Sequence, residues 1–102
     1  MTRLEQTALK AVLKFGEISQ VSKAIEELGE LTSDLARRQN GKVRLLDLVG
    51  EIADCTIMLE QLRQIFGPDV VDGIVSQKLD RLEGLILGLP PTRSDNWPEN
   101  EA

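Results

Sequence analysis

Apolar residues recur along this chain at intervals of three and four, broken at three places by a glycine beside a residue suited to a helix end. Thr2 and Glu5 have the spacing of a capping box, and Leu4, Leu9, Val12 and Leu13 follow until Phe15-Gly16. A short first helix over about residues 3–15 is therefore predicted. Val21, Ala24, Ile25, Leu28, Leu31 and Leu35 share a face of a second helix, roughly 18–39, which ends at Asn40-Gly41. A third runs from about Val43 to Phe66, with Leu45, Leu48, Ile52, Cys55, Leu59 and Leu62 on one face, and Gly67-Pro68 stops it. A fourth begins near Pro68-Asp69 and continues through Val71, Ile74, Val75, Leu79, Leu82 and Ile86. Leu46, Ala53 and Ile57 lie well away from the Ile52 face, and this breadth suits a helix buried on two sides, in a bundle interior or a dimer interface. The pattern predicts an all-α antiparallel bundle of about four helices over residues 1–88, then a polar, proline-rich and flexible tail over 89–102 that includes Trp97.

Composition narrows the chemistry. With 102 residues there is room for one compact domain. The only aromatics are Phe15, Phe66 and Trp97, so packing is aliphatic, and a second copy would enlarge a modest core. Seventeen acidic against twelve basic residues give a charge of −5, which disfavours binding to nucleic acid. His-based catalysis and His-ligated zinc are excluded because the chain has no His. The lone Cys55, in an apolar helical stretch, reads as a small core residue and suits a reducing cytoplasm. No apolar run approaches the roughly 20 residues of a membrane span, and the N-terminus lacks the pattern of a signal peptide.

The informative chemistry is acidic. The second helix carries Glu26, Glu27 and Glu30 in KAIEELGEL, and the third carries Glu51 and Asp54 in GEIADCTIML. At about 100° per residue, Glu27 and Glu30 stand about 100° and 160° to one side of Leu28, with Asp34 between them, and Glu51 and Asp54 repeat these angles about Ile52. A short turn near Asn40-Gly41 makes the two helices antiparallel neighbours, so Glu27 is level with Asp54, and Glu30 with Glu51. Four carboxylates meeting beside an apolar face repel one another strongly unless a cation joins them. Mg²⁺ fits an all-carboxylate set without His or Cys; it also binds phosphates, which makes triphosphate chemistry the leading expectation.

The ordered set E-E-x-x-E, spacer, E-x-x-D closely resembles the signature of the MazG-type all-α nucleotide pyrophosphohydrolases. The resemblance extends over FGEISQVSKAIEELGEL, LVGEIADCTIMLEQL and a trailing KLDRL. It implies that Glu27, Glu30, Glu51 and Asp54 are Mg²⁺ ligands, with Glu26 the adjoining acid of the motif. It also implies hydrolysis of a nucleoside triphosphate to the monophosphate and pyrophosphate, with active sites made in a homodimer or homotetramer.

Lys78 falls within the apolar face of the fourth helix, and Arg81 lies on its edge one turn on. These cations either snorkel to water or hold substrate phosphates, pairing with the carboxylates when substrate is absent. Lys23 is explained by an intrahelical pair with Glu27. A carboxylate not fully committed to metal, Glu27 or Glu30, is expected to take a proton from the attacking water, and Phe15 reads either as core or as a ring that stacks on a base. A dUTPase-like or phosphoribosyl-ATP-like specificity stands as an alternative within the superfamily. A non-catalytic helical oligomerisation module is the alternative from another class.

Overall fold

The protein is described by a computed structural model covering residues 1–89, so Trp97 and the expected tail beyond Leu89 lie outside the described residues. Four helices and no strand make up the described chain: α1 (Arg3–Phe15), α2 (Glu17–Gln39), α3 (Leu45–Phe66) and α4 (Pro68–Ile86). The all-α expectation is met, each boundary falling within two residues of that read from the sequence. No helix among the described residues is long and apolar enough to cross a membrane. The chain divides into two compact units, Met1–Phe66 and the part from Gly67 onward.

Each boundary has a local cause. The Thr2 hydroxyl accepts from the Glu5 N–H at 3.1 Å, and the Thr2 N–H donates to Glu5 Oε1 at 3.0 Å, completing the capping box. Gly16, at φ 90°, closes α1 through its N–H to the Val12 carbonyl and opens α2. A side chain would be strained there, so glycine lets two helices follow one another with a single residue between them. At the end of α2, Gly41 (φ 69°) donates to Arg38 O at 2.9 Å and Lys42 donates to Arg37 O at 3.0 Å, the paired bonds of a Schellman motif. Arg44 follows, and its carbonyl accepts from Asp47 and Leu48 to start α3.

Within the first unit α3 is the central element, packing against α2 and α1, while α1 touches α2 less. Close approach is set by small residues: Ala8 is 1% exposed and Ala24 2%, beside buried Val12, Leu48, Cys55 and Met58. The α1–α3 contact is tied by Arg63, whose guanidinium donates to Glu60 at 3.0 Å and reaches Glu5 at 3.4 Å. Hydrogen bonds from Thr2 hold the Glu5 carboxyl below the usual carboxylate range, with the Arg63 charge adding to the effect.

The expected face of α2 is met in part, with Ala24 buried and Val21, Leu28 and Leu31 half-buried. Its buried positions are Gln20, Ala24 and Glu27, whereas Ile25 and Leu35 are exposed. In α3 the buried positions are Leu48, Cys55, Met58 and Gln61, leaving Leu45, Ile52 and Leu59 exposed. Ala24 and Cys55 permit a closer approach of the backbones than leucine or isoleucine would, so the seam follows the small residues and the large aliphatics turn outward. The fourth helix, described in its own unit, has no buried residue.

Replacing Ala24 with Leu is expected to overpack this seam and cost about 1–3 kcal/mol. For a domain of this size that lowers the melting temperature by about 4–8 °C per kcal/mol. A thermal melt followed by circular dichroism measures it, and an unchanged melting temperature would show that the seam is not close-packed at Ala24.

Candidate functional site

The seam that buries Ala24 and Cys55 also carries the acids. Glu27 precedes half-buried Leu28 and Leu31 on α2, and Glu51 and Asp54 flank Ile52 and Cys55 on α3. One carboxylate oxygen each of Glu27, Glu51 and Asp54 lies within 4.8 Å of the others. Glu27 is only 9% exposed, Glu51 is half-buried and Asp54 is exposed, so the cluster grades from the helix interface out to solvent. The thiol of Cys55 donates to the Glu27 carbonyl at 3.3 Å and joins the two backbones beside the cluster. Burial pushes the Cys55 thiol up, and the neighbouring carboxylates, Glu51 foremost, push the same way, so it stays protonated and serves as a donor.

The polar accounting of the cluster is incomplete within the protein. Glu27 Oε1 receives the Lys23 ammonium at 3.2 Å, and the same ammonium lies 3.8 Å from Glu26. Glu27 Oε2 and Glu51 Oε2 are both buried and lack any hydrogen-bond partner. Buried carboxylate oxygens lose hydration that a donor or cation has to replace. Burial raises the Glu51 carboxyl above its ordinary range, and the charges of Glu30, Glu27, Asp34 and Asp54 raise it further. Two orphaned oxygens among converging carboxylates form an acceptor-only donor set, the kind that takes a hard divalent cation.

Three of the four acids expected as ligands, Glu27, Glu51 and Asp54, are thus brought together. Glu30 is exposed and lies outside that triplet, yet its charge is the strongest of those acting on Glu51. Asp34, half-buried one turn beyond Glu30, also acts on Glu51 and was not among the expected ligands, although it shares their helix face. Lys78 and Arg81 lie on α4 in the second unit, the first exposed and the second half-buried. Phe15 is not core: it is 58% exposed, with the Lys14 ammonium 5.8 Å from its ring centre.

Sequence reasoning missed two buried glutamines, Gln20 and Gln61. Gln61 is 4% exposed, has an unpartnered Oε1 and lines an open, mainly apolar cavity of about 410 Å³ between α1 and α3, with Arg3, Leu4, Thr7, Ala8, Ala11 and Ile57. Polarity hid these residues, since a pattern of apolar positions has no place for a glutamine in the interior. Comparison of the chain with protein-family models, with curated proteins and with solved structures gives no match.

The raised Glu51 carboxyl has a directional consequence. The folded protein holds this proton more tightly than the unfolded chain does, so the contribution to stability is full at low pH. It is lost as pH rises through the raised value, above the ordinary carboxylate range. Glu51→Gln is therefore expected to melt higher than the native protein at neutral pH without metal, with the gap closing towards pH 4. Mg²⁺ is expected to raise the melting temperature of the native protein and not that of the variant. Identical melting curves for the two proteins, with and without Mg²⁺, would remove the electrostatic account of the cluster.

Proposed function

We propose that this protein is a Mg²⁺-dependent nucleoside-triphosphate pyrophosphohydrolase of MazG type, with its metal held by Glu27, Glu30, Glu51 and Asp54. The observation that carries the reading is the convergence of Glu27, Glu51 and Asp54 within 4.8 Å, with a buried, unpartnered oxygen on both glutamates. The ordered motif E-E-x-x-E then E-x-x-D supports it from the sequence side. Bound there, Mg²⁺ would neutralise phosphate charge and acidify a water.

The residues divide the remaining work. Glu27, Glu51 and Asp54 would hold the metal together, with Glu27 fixed by Lys23. A carboxylate not fully committed to the metal, Glu27 or Glu30, would accept a proton, and Glu30 is the more exposed of the two. In the reaction the water oxygen bonds to the α-phosphorus, and the bond from that phosphorus to the oxygen bridging to the β-phosphorus breaks. The bridging oxygen keeps the electron pair and departs in pyrophosphate. The water's proton passes to that carboxylate, and the nucleoside monophosphate remains. Lys78 and Arg81 are assigned to the substrate phosphates, because a triphosphate retains negative charge after one Mg²⁺ has bound.

Assembly as a homodimer or homotetramer belongs to the same reading. Leu13, Ile18, Ile25 and Leu46 are each more than two-thirds exposed, and a second copy of the chain would cover such surface. A cytoplasmic setting agrees with a buried, protonated lone cysteine.

Glu27→Gln, Glu30→Gln, Glu51→Gln and Asp54→Asn are each expected to abolish pyrophosphate release from a panel of nucleoside triphosphates while keeping the helical circular dichroism spectrum. Full activity across the set would sink the assignment, and absence of pyrophosphate release from every triphosphate tried would leave a helical module without this chemistry.

Lys78→Met is expected to lose one to three orders of magnitude in kcat/KM, roughly 1.4–4 kcal/mol, and Arg81→Met less. Steady-state kinetics at saturating Mg²⁺ decide it, and wild-type values for Lys78→Met would reduce that residue to a solvated helix lysine. Light scattering at micromolar concentration is expected to give a dimer or larger; a stable monomer would refute the assembly.

A further inference from the structure

About two turns of helix away from the carboxylates, beyond Asp34 and Asp47 and towards the end of the α2–α3 hairpin, the charge changes sign. An open pocket of about 370 Å³ is lined there by Asp34, Arg37, Lys42, Val43, Arg44 and Asp47. Cations outnumber acids in this pocket, in a chain where acids outnumber cations seventeen to twelve. Asp34 lies one turn beyond Glu30, and Asp47 one turn before Glu51, so the pocket begins about 5–6 Å along the helices from the metal ligands.

The cations are held in place and are underused. The Schellman bond from the Lys42 N–H to the Arg37 carbonyl, 3.0 Å, keeps those two residues side by side across the turn. Val43, 8% exposed, plugs the interior between Lys42 and Arg44 and anchors the backbone that carries both. Arg37 has a single contact of 3.8 Å with Asp34, which leaves most of its guanidinium donors unspent. Among the described residues no carboxylate forms an ion pair with Lys42 or Arg44.

We propose that this pocket is the subsite for the β- and γ-phosphates, the pyrophosphate half of the substrate, with Arg37, Lys42 and Arg44 as its ligands. The assignment rests on the pyrophosphohydrolase reading and adds to it a direction along the hairpin: α-phosphate at the carboxylates, terminal phosphates at the turn. Arginine forks and a lysine ammonium form charge-assisted hydrogen bonds to phosphate oxygens, and after bond cleavage they stabilise the charge that appears on the departing pyrophosphate. Asp34 and Asp47 temper the pocket. Three cations against two acids still draw a bare polyanion, more weakly for the repulsion, whereas pyrophosphate arriving with Mg²⁺ brings its own cation, so the metal complex binds more tightly.

Calorimetric titration with inorganic pyrophosphate in the presence of Mg²⁺, at fixed ionic strength, tests the subsite directly. Relative to the native protein, the exposed double variant Lys42→Gln/Arg44→Gln is expected to bind pyrophosphate at least about tenfold more weakly. Its melting temperature and its affinity for Mg²⁺ alone are expected to be unchanged. A control that removes the same charge elsewhere, Lys10→Gln/Lys14→Gln on α1, is expected to bind pyrophosphate as the native protein does. Native affinity in the turn variant, or an equal loss in the α1 control, overturns the proposal. If the native protein takes up no Mg²⁺, the metal-centre reading fails separately. Titration with metal-free pyrophosphate then still decides the subsite, and equal binding by the native protein and the turn variant overturns it.

Discussion

The cost of packing two acidic helix faces against each other governs this protein. Helices α2 and α3 approach closely enough at buried Cys55 for its thiol to reach the Glu27 carbonyl at 3.3 Å. That approach carries Glu27, Glu51 and Asp54 into one cluster. Like charges at such distances repel one another, more so on the partly desolvated side of the seam. Lys23 neutralises one oxygen of Glu27, Glu51 is pushed towards protonation, and two oxygens are left without partners. A fold selected for stability alone would replace these acids, because apolar residues in such a seam are worth at least as much as buried charges. Their presence makes a bound cation the simplest completion of the structure.

The same seam explains the outer surface. A helix of this kind has a limited number of faces, and once the small and acidic residues occupy the inner one the large aliphatics point away. Ile25, Leu35, Ile52 and Leu59 are exposed for this reason, in a chain with few aromatics to cover them. On α3 the acidic seam and exposed aliphatics share one helix, which is apolar on more than one side.

Polarity along the hairpin supplies direction. The carboxylates lie in the middle of the two helices, and the cations Arg37, Lys42 and Arg44 gather at the turn, with Asp34 and Asp47 between the two zones. Such an alternation matches a substrate whose phosphates need a cation at one end and cationic side chains at the other. The Schellman closure at Gly41 lets the turn hold that alternation in a short, defined path.

Much of this was legible in one dimension. The capping box at Thr2 and Glu5, the glycine stops at Gly16 and Gly41 and the Gly67-Pro68 break delimit four helices, because caps and breakers act within a few residues of where they stand. The spacing of Glu27, Glu30, Glu51 and Asp54 places four acids at one level of a hairpin, because helical period and turn length are local quantities. The edges of the buried faces were not legible. Periodicity tells which residues share a face, but which of them a neighbour covers depends on the docking of the helices. Gln20 and Glu27 are covered on α2, while Ile25 and, on α3, Ile52 are exposed. The exposure of Glu30, the orphaned oxygens of Glu27 and Glu51 and the gathering of Arg37 with Arg44 depend on the same docking and on the path of the turn. The sequence alone determined which groups were available and at what heights along the helices. Only the tertiary structure decided which of them were deprived of water, because desolvation belongs to the contact between elements and not to either element by itself.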